Sequence, residues 1–169
     1  MASESIALIA QRVVEGLRDR GLTIAVAESL TGGLLVSALI DVPGASAVVR
    51  GGVVAYATAL KVSVLGVDAD LVAAAGAVDP RVAEQMADRV RRVLSVDARP
   101  ADLGVSTTGV AGPDRQDGHP VGTAFVGFAW GDRVFSRPLQ LSGDRRGIRA
   151  AVVSEALMGL RTLLERPRE

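Results

Sequence analysis

Stretches of helical periodicity alternate with short apolar runs along the whole chain, and this alternation limits the fold more than any other feature. Ile6, Ile9, Val13, Val14 and Leu17 recur at helical spacing, with Arg12, Glu15 and Arg18 between them. The pattern predicts an amphipathic opening helix that ends near Gly21. Leu22 to Ala27 has the length of a strand, and Leu34 to Ile40 reads as a second helix. Val48 to Tyr56 is β-branched and interrupted by Gly51-Gly52, which predicts a strand with a bend or bulge. Helix follows over Thr58 to Leu65, and Asp68 caps a short helix through Ala75. Asp79-Pro80 opens a long helix through about Leu94. Asp102 to Thr108 is a strand, and Val121 to Trp130 and Val134 to Leu141 form a hairpin around Gly131-Asp132. A last helix runs from Arg145 to Leu164, before a charged tail, 165–169, expected to fray. With no internal repeat or linker, the order predicts a single α/β domain, 1–169, with a mixed β-sheet flanked by helices.

Composition says how such layers pack. Hydrophobic residues make up 49% of the chain but aromatics only 3%. The core must therefore be aliphatic, with close backbone approaches through some of the 19 glycines. The formal net charge of +0 gives no general attraction to nucleic acid or anionic lipid, although Arg145, Arg146 and Arg149 form a local basic cluster. No run reaches the roughly 18 apolar residues of a membrane span, and no signal peptide is apparent. The cytoplasm is the default compartment. Apolar helices and the small size of the chain are compatible with a homo-oligomer.

Absence of Cys and a single His, His119, remove thiol chemistry, disulfides and the usual zinc sites. Asp68 and Asp70 read as a turn before a helix rather than as metal ligands. No cofactor is called for. The junction Glu28-Ser29-Leu30-Thr31-Gly32-Gly33 is the strongest local signal. A serine at a strand's carboxyl end, beside a helix N-terminus, can act as a nucleophile near unpaired N–H groups. Spacing alone favours the plainer reading, in which Ser29 or Thr31 only caps the helix.

A nucleophilic Ser29 needs a base. His119 lies in a Gly/Asp-rich loop and reads as a loop residue. Lys61 is the one lysine among 19 basic residues, and Tyr56, the one tyrosine, stands five positions before it. Unlike a guanidinium, an ammonium can lose its proton when buried. Lys61 can then serve a serine as base, with Tyr56 bonding the amine or relaying a proton. Thr107-Thr108-Gly109-Val110-Ala111-Gly112-Pro113 ends a strand in small residues suited to a phosphate or sugar. It is neither a Walker A nor a G-x-G-x-x-G sequence. Gly143-Asp144-Arg145 places an arginine at another helix start.

These segments, with Pro43-Gly44-Ala45-Ser46, Gly76-Ala77-Val78 and Pro120-Val121-Gly122-Thr123 between them, resemble in order the CinA C-terminal domain family, the nicotinamide-nucleotide amidohydrolases. The resemblance covers about residues 5–165. It implies hydrolysis of nicotinamide mononucleotide to nicotinate mononucleotide and ammonia, in pyridine nucleotide recycling. It implies Ser29 as nucleophile, Lys61 as base and Tyr56 in support. The small nucleotide substrate would meet Thr31, Gly32, Gly33, Ser46, Thr108, Gly109, Ala111, Gly112 and Arg145, and backbone N–H groups at Thr31 to Gly33 would hold the oxyanion. Some members carry a further N-terminal domain, so the resemblance implies the stand-alone form. Three departures stand out: Thr58-Ala59 where the family has Asn-Glu, Leu30 where Cys is common, and a changed loop ending in His119 instead of Lys. The alternative reading is a nucleotide-binding or regulatory module of the same family with little turnover.

Overall fold

A computed structural model of the chain describes residues 4–165. The elements in chain order are α1 (Ile6–Arg20), β1 (Ile24–Glu28), α2 (Leu34–Ile40), a 3-10 turn (Ala45–Ala47), β2 (Val49–Val54), α3 (Thr58–Ser63) and α4 (Ala69–Ala75). They continue with α5 (Pro80–Val93), β3 (Leu103–Gly109), β4 (Thr123–Trp130), β5 (Arg133–Gln140) and α6 (Arg145–Glu165). The tail expected to fray lies outside the described residues apart from Glu165, which closes α6.

Local chemistry explains the boundaries. Gly21 takes a left-handed conformation at the end of α1, where its N–H and that of Leu22 bond back to carbonyls of the last turn. The helix end takes Leu22, and Thr23 donates its N–H and hydroxyl to the Asp102 carboxylate, so β1 starts only at Ile24. Asp68 and Asp79 cap α4 and α5 through their carboxylates. Gly131 at φ 58° makes the two-residue turn between β4 and β5.

The five strands form one mixed sheet in the order β2-β1-β3-β4-β5. β1 pairs in parallel with β2 and β3, while β3, β4 and β5 pair antiparallel. The expected irregularity in β2 appears where Val49 and Gly51 face consecutive residues Ile24 and Ala25.

Alternation along β1 sorts its side chains between two cores. Ile24 and Val26 join the larger cluster with α1, α2 and α6. Ala25 and Ala27 point to the other face, against α5 and the segment holding Leu65 and Val67. That second face needs small residues. A Cβ on Gly104 would come within 1.8 Å of the Ala87 carbonyl oxygen, and one on Gly127 within 2.2 Å of that of Ala83. The helix α5 thus lies directly on the backbone of β3 and β4. All five residues of β1 are buried, so the strand is a rigid centre whose carboxyl end carries Ser29.

Candidate active site

Carboxyl ends of parallel strands are where open α/β sheets place their ligands, and three such ends converge here. Ser29 follows β1, Tyr56 and Lys61 follow β2, and the small-residue loop follows β3. The Nζ of Lys61 lies 3.0 Å from Ser29 Oγ and donates over 2.9 Å to the Ala55 carbonyl. Lys61 is 1% exposed and is among the largest fully buried side chains of the described residues. Burial lowers its pKa from the ordinary 10.5 to about 8, against a smaller upward pull from the Asp117 carboxylate. Water is the better solvent for a charge, so a sealed ammonium gives up its proton more readily.

A polar cavity of about 290 Å³ opens in front of Ser29. Ser29, Leu30, Tyr56, residues 109–116 and Arg145 line it, while Lys61 stands behind Ser29, out of the cavity wall. Arg145 bridges the mouth: its guanidinium donates to the Gly112 carbonyl over 2.6 Å and to the Tyr56 hydroxyl over 2.7 Å. The tyrosine therefore bonds Arg145 and not the lysine amine, and it is 58% exposed.

The turn after Ser29 is organised differently from what its spacing suggests. Neither Ser29 nor Thr31 caps α2. The cap is Glu28, whose fully buried carboxylate accepts from the N–H groups of Gly33, Leu35 and Val36 at 2.8–3.1 Å. The Gly32 N–H donates to the Ser29 carbonyl. Two of the expected oxyanion donors, at Gly32 and Gly33, are thereby occupied. Among the described residues the N–H groups of Leu30 and Thr31 meet no acceptor. Gly32 and Gly33 have φ values of 59° and 96°, so they serve the turn itself.

The remaining residues expected to touch substrate divide. Gly109, Ala111 and Gly112 line the cavity. The Thr31 hydroxyl shares a 2.7 Å hydrogen bond with Thr107, buried beneath the site. Thr108 donates to the Ala77 carbonyl over 2.7 Å and ties the loop before α5 to β3. Ser46 lines a separate hollow with Ile40, Pro43 and Arg50, so the structure does not bring it to Ser29. His119 lies edge-on to Phe125, outside the cavity wall.

Three residues with a part in this geometry are given no role by the sequence. Glu28 has one visible signal, an acid at the end of an otherwise apolar strand. Arg115 lines the cavity from the altered loop. Asp117 fixes that loop by accepting from the Ala77 N–H over 2.8 Å.

The pattern of the CinA C-terminal domain matches residues 6–164. The chain belongs to the CinA C-terminal domain family. A CinA-like protein of Frankia casuarinae is 52% identical over 153 residues, covering 90% of this chain and 34% of that protein. The chain spans about a third of the length of the curated relatives it matches. Among solved structures, a CinA superfamily protein from Enterobacter cloacae superposes with a TM-score of 0.91 at 27% identity, covering 98% of this chain and 95% of that one. The competence/damage inducible protein of Agrobacterium tumefaciens gives 0.86 at 32% identity, covering 98% and 100%. The CinA fold is thus shared along its full sheet. No helix among the described residues is long and apolar enough to cross a membrane.

Proposed function

We propose that this CinA domain is a Ser–Lys amidohydrolase that converts nicotinamide mononucleotide to nicotinate mononucleotide and ammonia, in pyridine nucleotide recycling. The observation that carries the proposal is the 3.0 Å contact between a sealed lysine and a cavity-facing serine. With a pKa of about 8, roughly a tenth of Lys61 is neutral at pH 7. A neutral amine accepts the Ser29 proton as Oγ bonds to the carboxamide carbon. The proton then passes to the nitrogen as the C–N bond breaks and ammonia leaves. Water attacks the resulting ester on Ser29, Lys61 takes one proton from it and returns it to Oγ, and the acid departs as the carboxylate, its remaining proton going to solvent.

The Leu30 and Thr31 N–H groups are left to hold the oxyanion, since those of Gly32 and Gly33 already have acceptors. Removing one such donor costs about 3–4 kcal/mol of barrier in other hydrolases. Arg145 and Arg115, against the single carboxylate of Asp114, leave the cavity wall net positive, suited to the 5′-phosphate of a mononucleotide.

Product analysis with nicotinamide mononucleotide, nicotinamide riboside and free nicotinamide tests the substrate. The proposal expects the mononucleotide to be deamidated most efficiently. Equal or better conversion of free nicotinamide would overturn the nucleotide part of the reading. Saturable binding of the mononucleotide with no turnover would favour a regulatory module instead.

A further inference from the structure

Arg149 belongs to α6, yet its side chain ends on the turn that follows Ser29. Its Nε donates to the Leu30 carbonyl over 2.9 Å and its Nη2 to the Thr31 carbonyl over 3.0 Å. The planar guanidinium fork suits two neighbouring acceptors, which a single ammonium could not engage in the same way. The fit leaves little space: a Cβ on Gly32 would lie 3.2 Å from Nη2.

Peptide planarity turns this grip into an orientation. In a trans peptide the C=O and the following N–H point in opposite directions. A guanidinium on the Leu30 carbonyl therefore turns the Thr31 N–H away from Arg149. A guanidinium on the Thr31 carbonyl turns away the Gly32 N–H, which closes onto the Ser29 carbonyl. Ser29 and Leu30 line the cavity, whereas Arg149 and the fully buried Thr31 do not, so the arginine holds the turn from behind its cavity-facing residues. A positive charge on a peptide carbonyl also polarises that peptide and strengthens its N–H as a donor.

We propose that Arg149 is a positioning residue of the hydrolytic site, gripping the Leu30 and Thr31 carbonyls so that the Thr31 N–H is aimed at the oxyanion formed when Ser29 attacks. This rests on the Ser–Lys reading and names a part of it outside the nucleophile, the base and the cavity wall. A mere staple between α6 and the turn would change stability without a selective effect on the attack step.

The test is the rate at which a small fluorophosphonate labels Ser29, followed by mass spectrometry across pH. The reagent needs both the dyad and the oxyanion donors but no nucleotide, so it is independent of substrate identity. In Arg149→Met the limiting rate should fall about 10- to 100-fold, with the pH midpoint set by Lys61 unchanged. Millimolar guanidinium should restore part of the rate. Arg149→Lys, which can reach one carbonyl, should fall between, and it carries the comparison if Arg149→Met does not fold. A folded Arg149→Met that labels at the wild-type rate overturns the proposal. So does a loss that appears only as a displaced pH midpoint, since the arginine would then act on Lys61. No labelling of wild-type Ser29 would instead overturn the Ser–Lys reading, and this proposal with it.

Discussion

Lys61 meets Ser29 over 3.0 Å although 32 residues separate them in the chain. The ends of two adjacent parallel strands bring them together, and burial gives the amine the property a base requires. A pKa of about 8 predicts how the rate depends on pH. The fraction of neutral Lys61 grows roughly tenfold per pH unit below that value and saturates above it. The kcat/KM profile should therefore rise with unit slope from pH 6 and level off near pH 8–9. A profile flat from pH 6 to 9 would remove Lys61 as the titrating base.

The same burial has a cost for the fold. Lys61 binds its proton less tightly in the folded chain than in the unfolded one, where 10.5 applies. The unfolded state thus holds more protons between pH 8 and 10.5, and stability should rise with pH across that window. At pH 7 the folded state bears the whole penalty. Lys61→Met should be inactive yet more stable by roughly 1–3 kcal/mol, less whatever is lost at the Ala55 carbonyl. Denaturant unfolding at pH 7 checks this. A variant less stable than wild type would contradict it.

Much of the architecture is legible in the sequence because its causes are local. Gly21, Asp68 and Asp79-Pro80 mark helix ends through chemistry confined to a few residues. The strand order is not legible, since β1 lies between β2 and β3 through pairings distant in sequence. The site divides in the same way. Ser29 and Lys61 stand out as a serine at a strand end and a solitary lysine. The cap on α2 misleads, because a serine and a threonine are the usual cap residues and a buried glutamate supplies the bonds from the strand instead. Arg149 reads in sequence only as part of a basic cluster, because its acceptors lie 118 and 119 residues away.

Glu28 should matter to the fold out of proportion to one surface-type side chain. Its carboxylate is fully buried and serves three N–H groups at the start of α2. Glu28→Gln keeps the shape but turns an amide NH₂ toward donors. The expected loss is about 3 kcal/mol, measured by denaturant unfolding. A change below about 0.5 kcal/mol, the scale of ordinary surface substitutions, would show that the cap is dispensable.

Arg145 should act on binding more than on chemistry. It bridges Tyr56 and Gly112 across the cavity mouth, whereas Lys61 bonds Ser29 and the Ala55 carbonyl. In Arg145→Ala, KM for the mononucleotide should rise about tenfold or more, the worth of one charge-assisted contact. The pH midpoint should stay where Lys61 sets it. Tyr56→Phe should produce a smaller rise, and its effect should largely vanish in the Arg145→Ala background, because the two share one hydrogen bond. Full additivity of the two substitutions would mean that they act separately.

Ammonia release from nicotinamide mononucleotide, compared among wild type, Ser29→Ala and Lys61→Arg, tests the central claim most directly. Wild type should release ammonia in step with nicotinate mononucleotide, and both variants should fall to background. Lys61→Arg keeps the positive charge but cannot surrender a proton at working pH. Release by wild type no faster than by Ser29→Ala, or an active Lys61→Arg, would contradict the Ser–Lys account.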